Sequence, residues 1–522
     1  MITALRIQNL RSILDSNFIE FKPIMILLGK NSSGKSTFLR SFPLFTQSVD
    51  KRLRGPISWF DAAYVDFGDF KTAKNKFTTD EDGISFTYKF RNVDIAPRLF
   101  LYRWGVYNIS KEEFIDGQFG FTLKEDAKGT YICDINIKTT NASYELHVNN
   151  RNDNIKFVIN GKEIEIPEYL YFDFNTSFGI LPSIISKKTS TDESPTSNYK
   201  NIITDRIFTI LKKHCDKRLQ NTQRLESILI SESLNKNIFL KKLKQGGGIK
   251  SFQKNVKSWE VDTQEFTNIY NYFLLLKINS IIDTLNNAIA IFYHRCDYIA
   301  PMRAEADRYY RIQGLQVQSI DASGHNLLEF IASLKPKEKE SLDSFVKSIL
   351  NITVDVTSES GMKSLKIRAS TGDFNITDVG YGYSQIVPII IKLWHTSYYA
   401  MAKNYMGKVR YRELGKNMLL IEQPELHLHP AMQAKVADTF IKTSLDLKHE
   451  NIDASLIIET HSPTIVNRIG KRIREGQIEP DDVNVLLFEK DETQKISTIK
   501  QISFSKNGQL KNWPFGFFDP TD

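Results

Sequence analysis

The chain has 522 residues, of which 41% are hydrophobic and 25% charged, which excludes a disordered or fibrous protein and predicts two or three lobes. The formal net charge is +8, and the three cysteines lack metal-type spacing, which favours a reduced compartment. The N-terminus has no signal-peptide pattern, and apolar runs such as residues 386–393 are too short to span a membrane. We therefore expect a soluble, cytoplasmic protein without a membrane partner.

The first elements predict a strand, a phosphate-binding loop and a helix. Residues 4–13 alternate as an edge or hairpin strand, and residues 24–28 form an apolar strand that leads into G-x-x-x-x-G-K-S. The nucleotide-binding residues assigned here are Gly29, Lys30, Asn31, Ser32, Ser33, Gly34, Lys35, Ser36 and Thr37. The alternative is an ordinary turn, which the complete motif between strand and helix disfavours.

The chemistry of this loop follows from its residue types. The backbone amides from Ser33 to Thr37 can bind an anion at a helix N-terminus. Lys35 would reach the β- and γ-phosphates of ATP, and the Ser36 hydroxyl would bind Mg²⁺. We expect Lys35 to lie in a solvated loop, so that its replacement leaves the fold intact.

The middle of the chain predicts a β unit followed by helices. Residues 83–168 contain short alternating runs, and Asn160-Gly161 is a strong hairpin turn signal. Residues 187–198 have the composition of a mobile loop, and residues 202–243 and 263–294 have helical spacing.

The helical region carries most of the positive charge. Residues 200–258 contain fourteen Lys or Arg against four Asp or Glu. A nucleic-acid backbone would bind such a surface, and a solvated helical face has the same composition. Both interpretations stay open.

The second half alternates helices and strands, as in an α/β fold. A helix over residues 326–350 is broken at Pro336, and strands are predicted at residues 352–356 and 364–369. Residues 418–422, 455–459 and 483–488 are compact apolar runs typical of buried parallel strands.

Residues after these strands can complete an ATP site. Glu422 ends an apolar strand as a Walker B acid would, and Ser36 and Glu422 are the predicted Mg²⁺ ligands. Strand 455–459 leads into Thr460-His461. Residues 378–385 open a predicted helix over residues 385–400, and their glycines and amides can hold a phosphate.

Together these motifs resemble the ABC-type ATPase heads of the RecF, SMC and OLD proteins. Residues 9–13 (NLRSI), 298–303 (YIAPMR) with Arg308, and 513–519 (WPFGFFD) further resemble the ATPase subunits of bacterial Septu anti-phage systems (PtuA), including versions attached to retrons. The likeness extends over essentially the whole chain, through motifs rather than continuous identity.

The resemblance implies specific roles. The signature that completes a partner's ATP site across a head-to-head dimer corresponds to Gly380 and Gly382, Glu422 to the Walker B acid, and His461 to the γ-phosphate sensor. Ser384 and Gln385, at the start of the predicted helix, are further predicted nucleotide-binding residues. Gly380 replaces the signature serine, and Gln423 replaces the general-base glutamate. Since glutamine orients water without taking its proton, Glu425 is the available carboxylate and hydrolysis is expected to be slow.

The predicted fold is an α/β, ABC-type P-loop ATPase head with an inserted antiparallel β unit and a helical insertion. Its predicted parts are residues 1–180 (lobe I), 181–296 (basic helical insertion) and 297–522 (lobe II). The expected function is an ATPase, dimeric or of higher order, that controls an HNH-type nuclease subunit. DNA, or a retron reverse transcriptase with its RNA–DNA product, is a further expected partner.

Competing interpretations remain at this point. A RecF-like DNA-repair ATPase has the same motifs, whereas a transporter ATPase is disfavoured by the long insertions between P-loop and Walker B. His427 and His429 are more often packing and capping residues than a metal pair. Arg303 and Arg308 would bind phosphate or form ion pairs.

Overall fold

The computed structural model describes most of the chain. The described residues are 1–49, 51, 53–79, 81–94, 114–166, 168–174, 179–186, 195–216, 229, 233–301, 303, 307–311, 317–359, 361–405, 415–490 and 496–513. The aromatic tail motif after Trp513, and residues 187–194 of the predicted mobile loop, lie outside them.

The described residues contain strands throughout the chain. They are β1 (Ile2–Leu10), β2 (Ile13–Asp15), β3 (Ile19–Glu20), β4 (Ile24–Gly29), β5 (Ile84–Asp94), β6 (Phe114–Asp126), β7 (Gly129–Thr139), β8 (Ser143–His147), β9 (Lys156–Ile159), β10 (Lys162–Ile164), β11 (Leu170–Asp173), β12 (Ser183–Ser186), β13 (Cys296–Ile299), β14 (Tyr310–Arg311), β15 (Thr353–Glu359), β16 (Met362–Ala369), β17 (Gly372–Asn375), β18 (Asn417–Glu422), β19 (Ala454–Glu459), β20 (Val483–Lys490) and β21 (Ser497–Ile502).

Helices occupy the connections between them. They are α1 (Lys35–Val49), α2 (Phe70–Ala73), α3 (Pro195–Lys212), α4 (Lys236–Gln245), α5 (Lys250–Val256), α6 (Gln264–Tyr293), α7 (Leu327–Ser333), α8 (Pro336–Leu350), α9 (Tyr381–Tyr405), α10 (Pro430–His449) and α11 (Pro463–Arg474). The prediction of a loop over residues 187–198 is wrong for the last four residues, because α3 begins at Pro195. Its starting proline suits a first helical turn, where no backbone donor is needed.

The chain folds into two compact units. The first contains residues 1–6, 48–58 and 79–290, and the second contains residues 7–47, 59–78 and 291–522. The antiparallel strands and the basic helices belong to the first unit. The P-loop and the Walker B strand belong to the second.

An antiparallel meander forms the first unit's sheet, as the alternating runs predict. Strands β5 to β10 pair in sequence order, each antiparallel to the next. Ile159 pairs with Lys162, so Asn160 and Gly161 form a two-residue hairpin turn with φ values of 52° and 73°. The hairpin prediction is confirmed, because Asn and Gly adopt this left-handed conformation at low cost.

Helix α6 has the length and apolar composition of a membrane span, with mean hydropathy 1.2 and half of the tested window buried in the structure. A core helix passes the same test. Two of its asparagines bind backbone: Asn279 pairs with both polar groups of Ile184 at 2.8 and 2.9 Å, and Asn286 does the same with Leu181 at 2.8 Å. These pairs satisfy amides that burial would otherwise leave without partners, as in a core helix.

A largely parallel sheet organises the second unit. Strands β20, β4, β19, β18 and β13 are neighbours in that order and run parallel. Strand β21 pairs antiparallel with β20, and β1 and β2 form the predicted hairpin. The Walker B strand β18 is therefore separated from the P-loop strand β4 by β19. Parallel strands end at one edge, where α/β proteins place their ligands.

Helices and a small sheet cover the parallel strands. The core of this unit packs side chains of the central strands against α9, α10 and α11. Strands β14 to β17 form a separate antiparallel sheet, and α7 and α8 meet at the predicted break before Pro336. Helix α9 begins at Tyr381, earlier than predicted.

Candidate nucleotide-binding site

The P-loop connects β4 to α1 where backbone must pass very close to its neighbours. A methyl group on Gly29 would lie 2.4 Å from the Phe488 carbonyl oxygen, and one on Gly34 would lie 2.7 Å from the Ser12 hydroxyl. Gly34 also has φ of 97°, which disfavours other residues. The two motif glycines are therefore required by the fold of the loop.

Lys35 is buried, so the expectation of a solvated side chain was wrong. It is 3% exposed, and its ammonium donates hydrogen bonds to the carbonyl oxygens of Gly29, at 3.0 Å, and Lys30, at 2.9 Å. Burial lowers the pKa of Lys35. The loop carbonyls thus hold the ammonium inside the curve that phosphates occupy in P-loop proteins.

The loop residues differ in access to solvent. Lys30, Asn31 and Ser32 are exposed and Ser36 is half-buried. The buried members of the predicted set are Gly29, Ser33, Gly34, Lys35 and Thr37. The Ser33 hydroxyl has no hydrogen-bond partner within the described part of the chain. A buried polar group of this kind fits a site that a ligand completes.

Glu422 ends β18 as predicted, and both oxygens of its carboxylate accept hydrogen bonds. Arg40 donates to both of its oxygens at 2.8 Å, and the Tyr298 hydroxyl donates to Oε1 at 2.7 Å. The hydrogen bonds that Arg40 donates to Glu422 raise the pKa of Arg40. Neither Arg40 nor Tyr298 was predicted, although Arg40 lies one helical turn beyond Ser36, on the same face of α1.

The carboxylate that contacts Ser36 is Glu459, at the end of β19. The Ser36 hydroxyl donates to Glu459 Oε1 at 2.7 Å. Burial, followed by repulsion from Glu422, raises the pKa of Glu459 to about 7. From sequence, Glu422 rather than Glu459 was the carboxylate expected beside Ser36, as its fellow Mg²⁺ ligand. A carboxylate at the end of a buried strand beside β4 was the signal that could have identified Glu459.

Glu425 and Gln423 tie the Walker B strand to the turn after β19. Glu425 accepts hydrogen bonds from the Thr460 hydroxyl at 2.8 Å and from the His461 amide at 2.7 Å. Burial raises the pKa of Glu425. The backbone amide of Gln423 donates a hydrogen bond to the backbone carbonyl of Glu459 at 2.8 Å. Both Glu425 oxygens are occupied, which suits positioning of the turn as well as the base role assigned from sequence.

His461 lies near the P-loop lysine. Its imidazole is half-buried, and burial followed by the positive charge of Lys35 lowers the pKa of His461. At neutral pH the ring is therefore uncharged, with one N–H to donate. This arrangement suits a sensor of an anion between Lys35 and His461.

The predicted phosphate-binding residues around the start of α9 differ in their exposure to solvent. Gly380 is exposed, with no atom within 4 Å of a methyl group placed on it, and Gly382 is half-buried. Ser384 and Gln385 are buried in α9, at 8% and 2% exposure. Gly380 and Gly382, the residues predicted to form the signature, are thus accessible to another molecule.

The two arginines left open by the sequence have different environments. Arg308 forms an ion pair with Asp378. Arg303 is 5% exposed and donates to the backbone oxygens of Glu422 at 3.0 Å and Gln423 at 3.4 Å. Burial lowers the pKa of Arg303 to about 10. Arg303 therefore braces the end of the Walker B strand.

One of the two histidines after Walker B, His429, has a local capping role. His429 caps α10, since its Nδ1 accepts from the Ala431 amide at 3.3 Å, and the capping prediction is confirmed. His427 has φ of 60°. Among the residues that the structure describes, no cluster of three or more His, Cys, Asp or Glu side chains could hold a metal.

The fold and the site define a P-loop ATPase head. The site fits ATP with Mg²⁺, because one sheet edge holds a glycine-lined loop, an enclosed lysine and the Ser36–Glu459 contact. Mg²⁺ needs only one or two protein carboxylates, since phosphates and water supply its other ligands. The chain belongs to the AAA ATPase domain family, which matches residues 1–466. A second family, described as a protein of unknown function (DUF3696), matches residues 478–522.

Other similarities are weaker or partial. The chain is 30% identical over 137 residues to Endonuclease GajA of Bacillus cereus (strain HuB5-5), a match that spans 25% of this chain and 19% of that protein. It is similar to the SMC head domain from Thermotoga maritima (TM-score 0.32, 10% identity, 96% and 98% coverage). It is also similar to the recombination mediator protein RecF of the RecFOR pathway (TM-score 0.31, 13% identity, 96% and 98% coverage).

Proposed function

We propose that this protein is a slowly hydrolysing regulatory ATPase that dimerises around ATP and controls an HNH-type nuclease subunit in bacterial anti-phage defence. A retron reverse transcriptase with its RNA–DNA product, or DNA, is a further proposed partner, and the proposed location is the cytoplasm. The observation that carries the ATP-dependent part is the enclosed Lys35 beside Ser36 and Glu459. The Septu-like sequence motifs support the defence role.

Binding of ATP would use groups already assembled at the sheet edge. The phosphates would replace the Gly29 and Lys30 carbonyls as partners of the Lys35 ammonium. A phosphate is a stronger acceptor than a carbonyl because it is charged. His461 would donate its N–H to the terminal phosphate. Mg²⁺, held at Ser36 with a carboxylate, would neutralise phosphate charge.

Dimerisation would complete the site. Gly380 and Gly382 lie at the start of α9 with open space in front of Gly380. Helix N-terminal amides bind anions. Each signature would therefore face the γ-phosphate bound by the other subunit, and ATP would act as the link between two copies.

Slow turnover follows from the residue after the Walker B acid. Gln423 can orient a water molecule but cannot accept its proton. Glu425, two residues after Gln423, is the available carboxylate, and its oxygens accept hydrogen bonds from Thr460 and His461. A long-lived ATP state is what a regulatory ATPase needs.

The dimer is tested by light scattering with a non-hydrolysable ATP analogue and Mg²⁺. The wild-type chain should change from monomer to dimer. Gly382→Arg, whose backbone is helical and whose Cβ has ordinary space, should bind the analogue yet stay monomeric. A nucleotide-independent mass, or an unaffected Gly382→Arg dimer, would contradict this arrangement.

A RecF-like DNA-repair ATPase without a nuclease is the second candidate. The observation that favours it is the set of exposed lysines on and beside α4 and α5, namely Lys241, Lys250, Lys254 and Lys257. Affinity purification from the native cell followed by mass spectrometry separates the two. Recovery of a stoichiometric nuclease subunit supports the first, and recovery of DNA without a nuclease supports the second.

A further inference from the structure

Two carboxylates end neighbouring parallel strands at the candidate ATP site. Glu422 of β18 pairs in register with Glu459 of β19. They are 1% and 2% exposed. Two buried carboxylates at adjacent positions repel each other, so each requires a compensating positive charge.

Glu422 already has this compensation from the protein. Arg40 binds it through two parallel hydrogen bonds, and Tyr298 adds a third. A bidentate guanidinium pair of this kind is both strong and specific in orientation. A metal ion bound by Glu422 would have to use the remaining acceptor site of Oε2, beside the positive charge of the Arg40 guanidinium.

Glu459 is satisfied on one oxygen only. Oε1 accepts the Ser36 hydroxyl proton at 2.7 Å, whereas Oε2 is buried and has no hydrogen-bond partner among the described residues. A serine hydroxyl has one proton and two lone pairs. Because the proton is given to Glu459, the lone pairs of Ser36 remain available to a cation.

We propose that Glu459, and not the Walker B residue Glu422, is the carboxylate of the Mg²⁺ site. Ser36 and Glu459 would hold the ion, with Glu459 Oε2 binding either the metal or one of its water molecules. Mg²⁺ typically uses one or two protein oxygens together with phosphates and water. Glu422 then acts as a positioning residue that fixes Arg40 and Tyr298. The inference rests on the proposed binding of ATP.

The test compares two isosteric variants, Glu459→Gln and Glu422→Gln, in the full chain. Mn²⁺ serves as the probe, and its affinity for the protein–ATP complex is measured by electron paramagnetic resonance. ATP affinity is measured by calorimetry with and without Mg²⁺. Glu459→Gln keeps an oxygen that can accept from Ser36, so the local structure should persist, and thermal melting checks this for both variants.

Glu459→Gln should weaken Mn²⁺ binding about 10- to 100-fold, the loss typical of altered metal shells, and abolish the effect of Mg²⁺ on ATP affinity. ATP affinity without metal should stay near wild type. Glu422→Gln should weaken Mn²⁺ binding less than Glu459→Gln does, and it should lower the melting temperature because Arg40 loses its charged partner. Glu459→Asp, which keeps the charge but shortens the reach, should give an intermediate Mn²⁺ affinity.

Two outcomes overturn the inference: loss of Mn²⁺ binding in Glu422→Gln with retention in Glu459→Gln, or unchanged Mn²⁺ binding in both. Failure of the wild-type chain to bind ATP under any metal condition would instead remove the proposed function itself. The two failures are therefore distinguishable.

Discussion

At the scale of single residues, the site contains charges whose partners lie inside the protein. Lys35 contacts backbone carbonyls, Glu422 contacts Arg40, and Glu459 contacts Ser36. Each contact uses a polar group that the resemblance assigns to the nucleotide or its metal. The protein without ATP therefore keeps these groups paired, and ATP must exchange partners rather than enter an empty charged cavity.

Lys35→Ala should abolish ATP binding, because the ammonium that meets the β- and γ-phosphates is lost. Calorimetric titration with ATP measures this. Since Lys35 is buried, its replacement can destabilise the fold, and thermal melting is the necessary control. Lys35→Met is a second variant, whose longer side chain fills more of the volume that the lysine occupied. Unchanged ATP affinity in a folded variant would contradict the site.

The rate of hydrolysis should fall well over an order of magnitude below the enzymatic median of about 10 per second. Gln423→Glu should raise the steady-state rate by supplying a base, and Glu425→Gln should lower it. A coupled phosphate-release assay measures both. Normal turnover in Glu425→Gln would exclude Glu425 as the base, and would leave its bonds to Thr460 and His461 as purely structural.

At the scale of elements, an ion cluster joins the two helices that follow β18 and β19. Asp438 of α10 accepts bidentate hydrogen bonds from Arg468 and Arg472 of α11, at 2.6 to 2.9 Å. Burial tends to raise the pKa of Asp438, but the bonds from Arg472 and Arg468 outweigh it and lower the pKa to about 2. The cluster orients α11, which begins just after His461.

Asp438→Asn should lower the free energy of unfolding by about 1 kcal/mol at neutral pH, a value reduced by partial solvent exposure. Because folding lowers the pKa of Asp438, its stabilisation is complete above the unfolded value of about 3.9 and is lost as pH falls toward about 2. Denaturant unfolding at pH 7 and pH 3 measures the difference, which should shrink at the lower pH. An equal difference at both values would show that the cluster does not stabilise through charge.

At the scale of the whole molecule, the chain places nucleotide chemistry and positive charge in separate units. The ATP-site residues belong to the second unit, and residues 200–258 with their excess charge belong to the first. Within that segment Lys241 is exposed, and Lys242 and Lys244 are half-buried on α4.

Reversing Lys241, Lys242 and Lys244 to Glu should weaken nucleic-acid binding and flatten its dependence on salt, because fewer counterions are released. Fluorescence anisotropy over a salt series measures the slope. The matched control reverses the exposed Lys337, Lys347 and Lys506 of the second unit, which carries the same charge change. Equal slopes for both triple variants and wild type would return α4 to a solvated or protein-docking surface.

The isolated chain should cleave neither DNA nor RNA with Mg²⁺ or Mn²⁺, because a nuclease needs metal ligands and a base around the scissile phosphate.

When the proposed nuclease partner is added, the cleavage activity of that nuclease should change if the ATPase carries Lys35→Ala or Glu425→Gln. Such coupling requires the nuclease to prefer one arrangement of the ATPase. Cleavage by the isolated chain that is lost in His427→Ala and kept in Lys35→Ala would reveal a second active site.

The sequence by itself determined the elements that local patterns specify. The P-loop, the Asn160–Gly161 hairpin, the apolar strands and the break before Pro336 each depend on residues within a few positions, through backbone geometry and periodicity. It also placed Glu422 and His461 at the sheet edge that holds the P-loop, since parallel strands share an end, but it did not identify Glu459, Arg40 or Tyr298. The end of α9, by contrast, lies more than twenty residues after its glycine motif. The helix was predicted to end at residue 400, whereas it continues to Tyr405.

The tertiary structure decided which charges meet. Ser36 and Glu459 are 423 positions apart and Arg40 and Glu422 are 382 apart, and no local pattern records either contact. Two carboxylates end adjacent strands, and only the strand order, with β19 between β4 and β18, places Glu459 rather than Glu422 beside the P-loop serine. Likewise Arg303 is buried against a strand end and Arg308 pairs with Asp378. Such assignments depend on packing, because a buried charge must find its partner wherever the fold brings one within hydrogen-bond distance.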